Sequence, residues 1–423
     1  MDGILTGVRI ADFTEYIAGP YCTMVLADLG ADVLKIEPPG GDRMRYSAPL
    51  EGEGRGFLQV NRSKRSFGLD LKKEGSAEIV RRIVEGVDVV VVNQRPQSIK
   101  RLRIDYETLS QFNDRLIYGE ITAFGHTGPY AHRGAFDMVA QAIGGVIAHE
   151  GTFAPDGMGM TTTSISDYSA GVFLALGIVG ALLVRERTGR GQKVETNLLD
   201  AVIACQYRPM NNIERFDAGP RNEFVEKVNE AARSGSNIRE LFELRASHLG
   251  ANTRNIYWRA YATKDGFLAV ACLNNVMRRS LRDLLGIEDS SVDGASYGGT
   301  TAEENLALVA KTEPIFRQRT TSEWFELLDE AGVPCGPLNT PEQVFDDPQV
   351  VHNGSIWSVE HERVGEIRMP AHPLHYSVSE APIPGPPPLL GEATVQTLES
   401  LGYSREHIQR LIDQRVVFAT HRQ

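Results

Sequence analysis

Residues 88–93 read "DVVVVN", four valines in succession. Side chains along a strand point alternately to opposite faces, so a strand with no polar position must be covered on both. That requirement is met in the middle of a parallel sheet flanked by helices. The surrounding sequence fits this reading. "GVRIADF" (7–13), "DVLKIE" (32–37), "RSFGLDL" (65–71) and "RLIYGEITAFG" (115–125) read as further strands. "GPYCTMVLADLGA" (19–31) and "EGSAEIVRRIVEGV" (74–87) read as helices, the latter with apolar residues at helical spacing. Such alternation predicts a doubly wound α/β sheet, whose ligands sit beyond the carboxyl ends of the strands.

"TGRGQKVETNLLDAVIAC" (188–205) adds a glycine turn, a strand and a helix. The pattern then changes. Residues 212–250 are charged and helical in character. "NIYWRAYATKDGFLAVACL" (255–273) reads as two strands around the Asp265-Gly266 turn. Helices are expected at 274–287, 321–332 and 404–416, a loop at 288–304, and an extended proline-rich segment at 382–392. A smaller α+β domain is placed at 225–330.

The net charge of −11 over 423 residues argues against nucleic acid as the main partner. Cys22, Cys205, Cys272 and Cys335 show no metal-ligand spacing and read as reduced thiols of a cytoplasmic protein. The amino terminus has no basic region of the kind that opens a signal peptide. The apolar run from Ala170 to Val184 is shorter than a membrane span and reads as a buried helix. No GxGxxG follows the first strand, and P-loop, HExxH, EF-hand and GxSxG motifs are absent. No bound metal or resident cofactor is expected.

Two basic runs, "NRSKRS" (61–66) and "QRPQSIKRLR" (94–103), contain no acid and flank predicted strand ends. They read either as solvated surface or as a site for phosphates. Asp167 stands at the head of the apolar helix, after Ser164 and Ser166. Such a residue caps a helix. Held ionised by the helix amides and dipole, it is also a usable nucleophile toward a thioester.

Several stretches together resemble the family III CoA-transferases, the group of formyl-CoA transferase, carnitine CoA-transferase and α-methylacyl-CoA racemase. They are "GVRIADFTEYIAGPYCTMVLADLGADVLKIEPPGGDRMR" (7–45), "NRSKRSFGLDLK" (61–72), "FDMVAQAIGG" (136–145), "SDYSAGVFLALGIVGALLVRERTGRGQKVETNLLDA" (166–201), "AGVPCGPLNT" (331–340) and "PPLLGEAT" (387–394). The resemblance implies two interlocked chains forming a homodimer. Each would have a Rossmann-like large domain from residues 1–205 and 335–423, a linker at 206–224 and the small domain at 225–330. It implies transfer of CoA from an acyl-CoA, succinyl-CoA being common in the family, to a free carboxylic acid. The family nucleophile falls on Asp167, and an acid near the substrate falls on Asp137, which orients substrate or a loop or is a structural cap. CoA contacts fall on Tyr16, Ile17, Ala18, Arg45, Leu69, Lys72, Asn93, Gln94, Arg101 and Leu102. Backbone amides of "AIGG" (142–145) are candidates for an oxyanion site.

The departures also carry information. Pro38 and Gly134 replace basic residues of formyl-CoA transferase, and "HLGANTRNIYWRAY" (248–261) replaces its glycine-rich loop, so formyl-CoA and oxalate are not the expected substrates. Phe136 stands where the racemase has a histidine base, and Asn274 near its supporting glutamate. Both favour transferase over racemase. His132 and His149 are the candidates for a displaced base. The alternatives are an isomerase of the same family, racemase-like or transferring CoA within one molecule, and a non-catalytic CoA-binding homologue, against which the retention of Asp167 argues.

Overall fold

The computed structural model describes residues 3–153, 159–160, 163–207, 210–249, 255–294, 301–379, 382 and 384–420. The elements that position the site are β1 (Arg9–Asp12), α1 (Ala18–Asp28), β2 (Asp32–Glu37), β3 (Lys64–Leu69), α2 (Ser76–Gly86), β4 (Val89–Val92), α3 (Pro96–Leu102), β5 (Ile117–Thr122), α4 (Asp137–Ile143), α5 (Ile165–Thr188) and β6 (Gln192–Asn197). The main sheet runs β6-β5-β4-β1-β2-β3, all parallel, and ends on Val417–Phe418 paired antiparallel with β3. The result is a mixed α/β fold with one large, mainly parallel sheet and smaller accessory sheets.

The four valines of β4 are fully buried. Val89 and Val91 face Ile10, Val33 and Ile117 and the layer of α1 and α5. Val90 and Val92 face α2 and the carboxyl-terminal helices through Ile79, Ile83, Leu398 and Leu411. Each such side chain contributes roughly 1.5–3 kcal/mol by leaving water. The amphipathic spacing of α2 and the unbroken apolarity of β4 thus specify a three-layer unit.

α5 is long and apolar enough to cross a membrane by length and composition. In this fold it covers β5 and β6 and packs on α1. At Gly171 the two helices nearly touch: a Cβ there would lie 2.7 Å from the Ala18 carbonyl oxygen. Its opposite face is open, with Leu176 and Leu183 67% and 63% exposed. The helix is buried on one side only, which the sequence reading did not anticipate.

The chain divides into two compact units. The large one takes both ends, through Asn212 and again from His352, and the small one is Ile213–Val351. The small unit is longer than the expected 225–330. Helix Glu214–Arg233 runs through the stretch read as linker and buries no residue. Cys335–Pro337 forms a third strand on the Trp258–Ala262/Phe267–Ala271 hairpin. Its core stacks Tyr261 on Phe316 at 3.9 Å, with Trp324 beside them.

Candidate active site

The chain leaves β1 toward β2 on one side and reaches β4 and β5 on the other, so the strand order reverses between β1 and β4. A crevice beyond the carboxyl ends of adjacent strands is expected at such a point. Here the loop 13–17 and the pair Asn93-Gln94 meet. The Asn93 amide clamps Glu15, accepting its N–H at 2.9 Å and donating to its carbonyl at 2.7 Å. Gln94 donates to the Phe13 carbonyl. From below, the Lys35 ammonium donates to the Thr14 carbonyl at 2.8 Å and pairs with Asp42 at 2.9 Å. Asp42 in turn accepts from the Tyr16 N–H. Held from several sides, Tyr16 adopts φ +69°, a left-handed conformation that a bulky residue keeps only when its surroundings impose it.

Beneath this loop lies a buried ion network. Burial alone would raise the Asp12 carboxyl, but Lys64, Lys35 and the Thr14 and Thr23 side chains outweigh it and hold the value at about 2. Burial lowers Lys64 to about 8 against the pull of Asp12, 3.1 Å away. Arg62 pairs with buried Asp28 at 2.6 Å, and Arg65 pairs with Asp32 at the surface. The run 61–66 is therefore a set of structural cations. The sequence reading missed its acids because they lie at least 33 residues away along the chain. Arg45 is corrected in the same way. Its guanidinium holds Glu37 with two hydrogen bonds of 2.8 Å, Glu53 at 2.7 Å and the Pro388 carbonyl at 3.0 Å, with Phe57 against its face. It is turned into the protein and has no open side for a phosphate.

The other expected contacts fall into two groups. Tyr16 and Ile17 line a cavity of about 290 Å³ together with Phe136, Asp137, Met138, Thr163, Ser164 and Asp167. Ala18 is buried at the start of α1, and Leu69 sits in the core at the end of β3. Lys72 is exposed after β3; on α3, Arg101 is exposed and Leu102 half-buried. Arg95, Lys100, Arg101 and Arg103 form no ion pair with a described residue. The Arg95 guanidinium covers Gly134, where a Cβ would lie 2.4 Å from Nη2. A side chain at 134 would evict it, a dependence that no local sequence signal records.

Asp137 and Asp167 meet in the cavity. Asp137 Oδ1 accepts from the Ser166 N–H at 2.9 Å and the Asp167 N–H at 3.2 Å, so α5 is capped by a side chain from α4. Ser164, the expected type of cap, makes no capping bond. Buried Gln141 donates to Asp137 Oδ2 and to the Thr163 carbonyl. The Asp167 carboxylate accepts no hydrogen bond from a described residue. Burial, with the Asp137 charge added, pushes it up to about 7. This reverses the expectation of a carboxylate held ionised by its own helix, because Asp137 has taken the amides.

Phe136 packs edge-on against Tyr16 at 5.1 Å. His132 is exposed, and neither it nor His149 lines the cavity. Asn274 caps helix Asn275–Leu285 through the Met277 N–H. The Gly144 and Gly145 N–H groups donate to Ala140 and Ala142 carbonyls, so the glycines of 142–145 offer no free amide for an oxyanion. Of the segment replacing the glycine-rich loop, 250–254 lie outside the described residues. Among the described residues, Glu120, His126 and Glu195 converge as metal ligands do. The Lys193 ammonium lies 2.9 and 2.6 Å from the two carboxylates and supplies the cation there. A larger cavity of about 460 Å³ lies at the amino ends of β2 and β3, lined by Ser63 and His361 among others. It contains neither Asp137 nor Asp167, and the smaller cavity is the one with paired carboxylates at the switch point.

Comparison with known proteins agrees along the whole chain. Residues 5–394 match CoA-transferase family III. Succinyl-CoA:glutarate CoA-transferase of Mus musculus is 32% identical, over 96% of this chain and 89% of that one. Acetyl-CoA:oxalate CoA-transferase of Acetobacter aceti is 31% identical, over 92% and 93%. The crystal structure of a CAIB/BAIF family protein from Brucella suis superposes with a TM-score of 0.74 at 28% identity, covering 95% of this chain and all of that one. A match of this extent, in sequence and in fold, leads to one conclusion: the chain belongs to CoA-transferase family III.

Proposed function

We propose that the protein transfers CoA from an acyl-CoA, with succinyl-CoA as the first donor to test, to a free dicarboxylic acid through covalent intermediates on Asp167. The observation that carries this reading is the Asp167 carboxylate itself, without a hydrogen-bond donor among the described residues and open to a cavity at the switch point. Ionised Asp167 attacks the thioester carbonyl and expels CoA thiolate, leaving a mixed anhydride. The thiolate attacks the aspartyl carbonyl, releasing the donor acid and forming an aspartyl-CoA thioester. The acceptor carboxylate attacks that thioester, and the thiolate then takes the acceptor's acyl group, regenerating Asp167. Each step exchanges one acyl bond for another, so the chemistry depends on positioning rather than on an external energy source. The loop of Tyr16 and Ile17 borders the attacking carboxylate, and exposed Lys72, Arg95 and Arg101 supply charge for the phosphates of CoA.

The dicarboxylic acceptor follows the relative named for glutarate. Phe136 supports transfer over racemisation, since it lines the cavity where the racemase has its histidine base and cannot carry a proton. We further propose an interlocked homodimer, in which a second copy covers the open face of α5. The four unpaired thiols suit a cytoplasmic setting.

The test is a trapping experiment. The protein is incubated with succinyl-CoA, quenched with hydroxylamine and digested. A hydroxamate on the Asp167 peptide, absent from Asp167→Asn, is the expected result. Turnover with an unmodified Asp167 peptide would remove the nucleophile assignment.

A further inference from the structure

The cavity raises a question that the transfer scheme leaves open: what keeps the nucleophile from being tied down by its own helix? The amino end of α5 offers N–H groups to any nearby carboxylate. Ile165 N–H donates to the Thr163 carbonyl and Tyr168 N–H to the Ser164 carbonyl. The two remaining amides, those of Ser166 and Asp167, are both held by Asp137 Oδ1. Gln141, fully buried, fixes the second oxygen of Asp137 and so fixes the orientation of that carboxylate. A carboxylate relieved of hydrogen bonds and placed beside another negative charge is more basic and more nucleophilic.

Resting on the transferase reading above, we infer that Asp137 is a positioning residue: it occupies the helix amides in place of Asp167, and its charge raises the lower pH limit of the acyl-transfer reaction. The other groups around Asp167 cannot do this. Among the described residues lining the cavity, Asp137 is the only other charged side chain. The loop after β1 contributes the Tyr16 phenol. Tyr168, next on α5, is turned to Gln59 and Tyr21. Burial raises Asp167 first, and Asp137 adds to it.

The experiment is the pH dependence of hydroxamate formation on Asp167, in single turnover with saturating succinyl-CoA. It compares the native protein with Asp137→Asn and Asp137→Ser. Asparagine keeps an oxygen for the two amides and removes only the charge. Serine is a second neutral cap in case asparagine does not fold. A carboxylate that titrates near 7 is about one-tenth ionised at pH 6, so the native rate there falls to about a tenth of its plateau. In the neutral variants the midpoint falls by about one unit or more, and the rate at pH 6 rises to at least about half the plateau. Variants that label Asp167 with an unmoved midpoint would overturn this inference and leave the proposed function standing. An unlabelled Asp167 in the native protein would instead overturn the proposed function.

Discussion

Replacing Arg45 by methionine separates a structural cation from a ligand contact. Methionine keeps much of the length and can still lie on the Phe57 ring, but the four hydrogen bonds to Glu37, Glu53 and Pro388 are lost. Glu37 and Glu53 are each 1% exposed, so their charges lose their main partner without gaining water. Removing one side of a buried ion pair costs about 3–5 kcal/mol. With a urea slope on the order of 3 kcal/mol/M, the unfolding midpoint falls by about 1–2 M, followed by circular dichroism. The pH dependence gives a second signature. In the native protein burial alone would raise Glu37, but Arg45 holds it below its ordinary value of 4.5. That contribution to stability is present above pH 4.5 and is lost as pH falls through the folded value. Without Arg45 the Glu37 carboxyl rises with its burial instead, so the variant's deficit is largest near pH 8 and shrinks toward pH 5. Adding Glu37→Gln recovers part of the loss. A midpoint within about 0.3 M of native, together with a tenfold or greater loss of acyl-CoA affinity, would refute the reasoning and return Arg45 to the ligand.

Asp167→Asn removes a carboxyl whose folded value is raised to about 7, so the variant is more stable than the native protein above pH 7 and loses that advantage as pH falls toward 4. Allowing for solvent in the cavity, the gain is on the order of 2 kcal/mol in urea unfolding at pH 8, alongside lost transfer. Asn93→Ala unpins Glu15 and loosens the Tyr16 loop; acyl-CoA KM rises roughly tenfold or more, with less change in kcat, measured by steady-state kinetics. Leu176→Glu places a charge on the open face of α5, which the proposed second copy covers, and shifts the sedimentation coefficient toward that of the single chain; an unchanged value would count against that face as the interface.

The parallel sheet was legible because its signals are local. β2 spans the residues read from the sequence, and β4 is apolar at every position because both faces are covered. Val417–Phe418 was missed because two residues carry no period, and their pairing with Leu69 and Gly68 is set by the other end of the chain. Asp167 was legible as a carboxylate at a helix start, but its cap was not. Asp137 lies 29 residues before Ser166, and nothing between them records that it reaches those amides. The same holds for Arg45 and for the run 61–66. A count of charges along a sequence cannot tell a cation facing solvent from one enclosed by acids brought in by other strands.

Gly171 connects two parts of the site that share no bond. Tyr16 stands in the loop two residues before Ala18 and Asp167 one helical turn before Gly171, and α1, which that loop enters, meets α5 where the Cβ would be. The missing methyl therefore acts as a gauge for the spacing between the loop and the nucleophile. Alanine there would work as a shim, lifting α5 by a fraction of an ångström while leaving every reacting group chemically intact. Near-attack geometry loses up to about a hundredfold in rate for a displacement of about 1 Å. A residue that touches no substrate thus sets a mechanical tolerance on the reaction, and the fold can retune that distance only by moving the two helices together.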